Sequence, residues 1–116
     1  MRPVLVVEDD RDIRESLVMI LEHEGYVVAA AADGQEALDW LGRGQEPELI
    51  LLDLMMPRVD GWEFLSCWQV RPAASRCPVI VLSGADVRQN PQGAEAVLRK
   101  PVSIDELLAA VGRHRP

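Results

Sequence analysis

Lysine is almost absent from this chain. Of its twelve Lys and Arg residues, eleven are Arg, and Lys100 stands alone. Codon usage accounts for an excess of Arg, but not for one Lys surviving at that place. Aromatic residues are also scarce, at 4%. Cysteine is limited to Cys67 and Cys77. Two Cys do not make the disulfide framework of a small secreted domain, so free thiols in a reducing compartment are expected. His23 and His114 are isolated, and no CxxC spacing occurs, which excludes the usual zinc patterns. No apolar run approaches the roughly 20 residues of a membrane span. The first apolar run stops at Glu8, which also excludes a signal peptide. These absences together predict a cytoplasmic protein with no membrane contact. Positive charge is in deficit as well: 12 basic against 19 acidic residues give a net charge of −7. A nucleic-acid-binding domain would need a basic face to displace counterions from phosphates, so that class is set aside.

What remains is an ordinary globular composition. The chain has 116 residues, 48% of them hydrophobic, which suits one domain covering 1–116 with a real core. The hydrophobic pattern alternates between two kinds. Short apolar, β-branched runs occur at 4–7, 26–30, 49–52, 79–82 and 96–98. Most are nearly continuous, as expected of parallel strands covered on both faces. Between them lie helical spacings. Ile13, Leu17, Ile20 and Leu21 share one face of a helix closed by Gly25. Ala37, Leu38 and Leu41 mark a second helix. Phe64, Leu65 and Trp68 mark a third, ending before Pro72, with Trp68 in the core and Trp40 and Trp62 partly exposed. Ile104, Leu107, Leu108 and Val111 mark the last, opened by a capping box of Ser103 and Glu106. Alternating strands and helices predict an α/β fold with a doubly wound five-stranded parallel sheet. The segment 84–93 carries Asn90, Pro91 and two Gly, so a helix there is expected to be shortened or irregular.

In such sheets, sites form beyond the carboxyl ends of the strands, where strand order reverses. Glu8, Asp9 and Asp10 follow the first strand, Asp53 the third, Ser83 the fourth, and Lys100-Pro101 the fifth. Any one of these has a bland reading as a solvated turn or strand end. Their joint placement does not. Clustered carboxylates repel unless a cation joins them. Oxygen-only ligands suit Mg²⁺. A carboxylate can attack phosphorus, and phosphoryl transfer needs charge neutralisation by a metal, a Lys and a hydroxyl. Asp10 is expected to cap the first helix.

The stretches VLVVEDD, LILLDLMMPRVDGWEFL, PVIVLSG and AVLRKPVSIDEL, in that order, resemble the receiver domain of bacterial two-component response regulators. The resemblance runs from Pro3 to the end of the chain. It implies a flavodoxin-like, CheY-like sheet of order 2-1-3-4-5. It also implies that Asp53 is the phospho-acceptor and that Asp9, Asp53 and the Met55 backbone carbonyl ligate Mg²⁺. Glu8 would act through water. Ser83 matches the switch hydroxyl. Lys100 matches the lysine that pairs with the acceptor carboxylate and then with phosphate, and the Lys100–Pro101 bond is expected to be cis. The implied partners are a histidine kinase or phosphotransfer protein and an unknown downstream protein, with the chain a monomer or weak dimer. Such a domain is no enzyme, although it assists its own phosphorylation and dephosphorylation. With His114, Arg115 and Pro116 following the last helix, a single-domain regulator acting by protein contact is one expectation and an excised domain the other.

Three features depart from the family pattern. Val97 stands where an aromatic switch residue is usual. The spacing from Ser83 to Lys100 is short. Met55 and Ala85 occupy positions that help set self-hydrolysis, and neither can orient a water, so slow autodephosphorylation is expected. Two alternatives are weighed, the first favoured by these departures and the second by the carboxylate chemistry. One is a binding module that never uses phosphate. The other is an aspartate-nucleophile phosphatase of the haloacid dehalogenase type, although that family carries its nucleophile after the first strand.

Overall fold

The computed structural model describes residues 2–54, 60–72, 77–84 and 93–114. The described elements are β1 (Val4–Val7), α1 (Arg11–His23), β2 (Val28–Ala31), α2 (Gly34–Gly42), β3 (Leu49–Asp53), α3 (Gly61–Gln69), β4 (Val79–Ser83), β5 (Ala96–Arg99) and α4 (Ile104–His114). The five strands form one sheet in the order β2-β1-β3-β4-β5, with all neighbours parallel. Fold class and strand order are therefore those expected. The expectation about the segment after Ser83 falls on residues 85–92, which lie outside the described residues, as do Met55 and Ala85.

Burial explains why the strand runs are continuous. Every residue of β1, β3 and β4 is buried, because both faces of the sheet are covered. On one face Leu5, Val7, Ile50, Leu52, Val79 and Val81 meet Ala37 and Leu41 of α2 and Phe64, Leu65 and Trp68 of α3. On the other, Val4, Val6, Leu49, Leu51, Ile80 and Leu82 meet Leu17 and Leu21 of α1 and Leu107 and Val111 of α4. Each fully buried aliphatic side chain stabilises the fold by about 1.5–3 kcal/mol. Phe64 stacks on Trp68 with centroids 6.2 Å apart, and Arg71 covers the same indole at 5.1 Å. Trp68 is buried, Trp40 half-buried and Trp62 exposed.

The helices start where polar caps place them. Asp10 accepts hydrogen bonds from the amides of Asp12 and Ile13, Asp33 from Glu36, and Asp60 from Glu63. The Ser103 hydroxyl accepts from the Glu106 amide and donates to the Glu106 carboxylate. Two expectations shift. Strand β2 begins at Val28, not Tyr26, because the Tyr26 amide bonds back to the Leu21 carbonyl at 3.1 Å. With Gly25 at φ +95, Tyr26 belongs to the C-terminal cap of α1. Ile13 and Ile104, expected on buried faces, are exposed at 39% and 55% at the margins of α1 and α4. Among the described residues, no helix is long and apolar enough to cross a membrane.

The two thiols are free and differ in setting: Cys67 is exposed on α3, and Cys77 is half-buried just before β4. Burial pushes the Cys77 thiol from 9.0 up to about 12. The thiolate is the reactive form, so a raised value suppresses reaction at any pH below it. At pH 8, iodoacetamide should modify Cys67 first and Cys77 at least about a hundredfold more slowly. Mass spectrometry of a time course reads this directly, and equal rates would contradict it.

Candidate functional site

The chain passes from β1 to β2 on one side and returns through β3 on the other, so the crevice beyond β1 and β3 is the switch point of the sheet. The side chains singled out in the sequence converge there. Glu8, Asp53 and Ser83 are buried at 1%, 4% and 1% exposure, while Asp9 is exposed at the rim. Glu8, Asp9 and Asp53 each offer a carboxylate oxygen, and these oxygens lie within 4.8 Å of one another. Ser83 ends the neighbouring strand β4, and its carbonyl accepts the Lys100 amide at 2.8 Å. That bond anchors Lys100 at the site. The Lys100–Pro101 peptide is cis, as expected. An open cleft of about 470 Å³ is lined by Glu8, Asp9, Asp53, Gly84 and Lys100, among others.

The electrostatics of this cleft set the position of Lys100. Its ammonium donates to Glu8 Oε1 at 2.7 Å and stands 3.5 Å from Asp53 Oδ1. Desolvation alone would lower its pKa, but the Glu8 hydrogen bond and the Asp53 charge outweigh it and hold the pKa above the usual lysine value. The ammonium is therefore fully charged through neutral pH. Pairing with Asp53 was anticipated, and the shorter contact to Glu8 was not. It spans 92 residues of sequence and depends on the reach of a Glu, so no local signal announces it.

Three features of the site were not singled out in the sequence. One is the Glu8–Lys100 pair. A second is Arg14, whose guanidinium donates to the Glu8 carbonyl at 2.9 Å and the Asp9 carbonyl at 3.4 Å. The third is Gly61, whose amide donates to the Leu54 carbonyl at 2.9 Å, drawing the start of α3 onto the end of β3. A Gly directly after a capping Asp was the only available hint.

The donor set fits a hard divalent cation. It is all oxygen, it carries three carboxylates against one ammonium, and the carboxylates already face one another. The description of the family model that matches residues 4–112 is "Response regulator receiver domain". The chain is a response regulator receiver domain.

Its relatives agree. It is 43% identical over 111 residues to the response regulator MprA of Mycolicibacterium vanbaalenii, covering 91% of this chain and 47% of that protein. The receiver domain thus spans about half the length of the curated relatives it matches. Chemotaxis protein CheY4 of Vibrio cholerae superposes with a TM-score of 0.87 at 30% identity, covering 98% of each chain. Response regulator TrrA of Thermotoga maritima, solved in complex with Mg²⁺ and beryllofluoride, superposes with a TM-score of 0.83 at 29% identity, covering 97% of this chain and 98% of that one. Receiver domains of this kind belong to two-component systems, generally bind Mg²⁺ at an acidic pocket and interact with histidine kinases or phosphotransfer proteins. The relatives are response regulators, and nothing among them or in the geometry favours the phosphatase or the phosphate-independent module.

Proposed function

We propose that this receiver domain accepts a phosphoryl group on Asp53 from a phosphohistidine of a histidine kinase or phosphotransfer protein. The observation that carries this is the burial of Asp53 between two further carboxylates and the one lysine of the chain. A carboxylate oxygen of Asp53 attacks phosphorus, the P–O bond forms, the P–N bond breaks, and the imidazole leaves. Asp9, Asp53 and the Met55 carbonyl would hold Mg²⁺ directly, with Glu8 acting through water. The cation supplies charge neutralisation for the phosphoryl oxygens. Lys100 then exchanges its contact with Glu8 for one with the new phosphoryl group. Ser83 turns its hydroxyl toward the same group, and the segments after β4 and β5 shift to alter the surface for a downstream protein. The receiver domain, residues 1–116, acts in the cytoplasm, as a monomer or weak dimer, and itself contacts neither nucleic acid nor membrane. It is a phospho-acceptor and not a turnover enzyme.

The test is labelling by acetyl phosphate with and without Mg²⁺. Intact mass should show one added phosphoryl group, dependent on Mg²⁺ and lost in hydroxylamine. No adduct with Mg²⁺ present would end the phosphorylation reading. Lys100→Arg probes the switch separately. A planar guanidinium cannot replace a compact ammonium between Glu8 and Asp53. Labelling should survive within about tenfold, but the change in amide exchange that beryllofluoride induces around residues 99–103 should be lost. A wild-type exchange response in this variant would show that charge alone suffices.

A further inference from the structure

We infer that Arg14 is a positioning residue that holds the acidic loop of the site from behind, an inference that rests on the proposed Mg²⁺ site. The loop 8–10 carries three carboxylates and has to place two of them against Asp53 despite their repulsion. Its front is fixed by few contacts. The Glu8 amide donates to the Ala31 carbonyl at 3.1 Å, and the Asp10 amide reaches Glu8 Oε2 only at 3.5 Å. Asp10 itself is committed to α1, accepting from Asp12 and Ile13 at 2.9 and 3.1 Å. Between these anchors, the carbonyls of Glu8 and Asp9 are both held by Arg14 Nη1, one turn into α1.

The choice of acceptor is informative. On a loop with three carboxylates, this guanidinium is bonded to two main-chain carbonyls. A carbonyl held toward α1 fixes the peptide plane, and with it the direction in which the Glu8 and Asp9 side chains leave the chain. The Glu8 side chain leads to Lys100 and the Asp9 side chain to the carboxylate cluster. Outer contacts of this kind commonly change metal affinity by 10- to 100-fold without touching the ion. Arg14 thus acts through backbone geometry and not as a counter-charge.

The two roles predict opposite signs. If Arg14 acts only as a nearby positive charge, Arg14→Ala removes repulsion toward a cation and Mg²⁺ binds more tightly. If it positions the loop, Arg14→Ala weakens Mg²⁺ binding by about tenfold, and Arg14→Lys, which keeps the charge on a compact ammonium without the planar guanidinium that sets the donor's direction and reach, falls in between. Calorimetric titration with MgCl₂ reads this, with a thermal melt confirming that each variant is folded. A second arm needs no metal. In metal-free protein, Arg14→Ala should speed amide exchange at Asp10, Asp12 and Ile13 by at least about fivefold relative to the amides of β3. Weaker binding with faster loop exchange is the expected result. Tighter or unchanged binding, or unchanged loop exchange, overturns the positioning role. A wild type that takes no Mg²⁺ would instead remove the cation site, and the exchange arm would still decide whether Arg14 holds the loop.

Discussion

Asp53→Asn should abolish phosphoryl labelling, by at least about a thousandfold, in a protein that is as stable as the wild type or more so. The amide matches the carboxylate in shape, so the buried site keeps its packing, but an amide oxygen is no nucleophile toward phosphorus. The stability half of the prediction is a balance of charges. Two unit charges about 4 Å apart interact by roughly 4 kcal/mol at an effective dielectric near 20. Asp53 contributes two repulsions, toward Glu8 and Asp9, whose oxygens lie within 4.8 Å. Against these stands its attraction to Lys100 at 3.5 Å, and Lys100 retains its closer contact with Glu8 at 2.7 Å. Exposed Asp9 is screened by solvent, so the net gain is modest, about 1 kcal/mol in metal-free buffer. Added Mg²⁺ should erase that gain by stabilising only the wild type. Intact-mass labelling and thermal melts with and without Mg²⁺ test both halves. Residual labelling at the wild-type rate would move the acceptor to another residue. A large loss of stability would mean that the Lys100 attraction outweighs the carboxylate repulsion.

The sequence displayed some of this site and concealed the rest, for physical reasons. Strands buried on both faces must be apolar throughout, so β1, β3 and β4 were visible as uninterrupted runs, and the polar residue after each marked the sheet edge. The doubly wound parallel class follows from alternating elements, whereas the order 2-1-3-4-5 rested on the family resemblance, and Asp10 and Ser103 announced their helices by type and position. Contacts that depend on side-chain length or chain crossing were not legible. Whether Lys100 meets Glu8 or Asp53 first is decided by the reach of a Glu across 92 residues. Tyr26 reads as strand by composition and is taken by the cap of α1 through one backbone hydrogen bond. Nothing in its spacing separates Arg14 from any other Arg on a charged helix, and its bonds to the Glu8 and Asp9 carbonyls exist only once the chain is folded. The close approach at Gly61 is likewise made by residues of β3 and the Leu54 that follows it, which no local pattern names.

Gly61→Ala should destabilise the domain by about 2–3 kcal/mol and slow Asp53 labelling, although helix propensity alone favours the substitution. A Cβ on residue 61 would sit 2.5 Å from Leu54 Cα, 2.6 Å from the Asp53 carbonyl oxygen and 3.0 Å from Leu54 Cδ2. Two of those three atoms are backbone, so no side-chain rotation relieves the clash. Either α3 retreats from the sheet, pulling on Phe64, Leu65 and Trp68 in the core, or the end of β3 moves and carries the Asp53 carboxylate away from Lys100 and Asp9. The first route costs packing and the second costs geometry at the acceptor. Gly112→Ala is the matched control. Gly112 lies near the C-terminal end of α4 with nothing within 4 Å of a built Cβ, so Ala there should stabilise by up to about 1 kcal/mol through helix propensity alone. Chemical denaturation of both variants separates the causes. Opposite signs establish that close approach at Gly61, and not glycine flexibility, holds the acceptor strand against α3. If Gly61→Ala is as stable as the wild type, the end of β3 is softer than its contacts indicate, and labelling kinetics will show whether Asp53 moved with it.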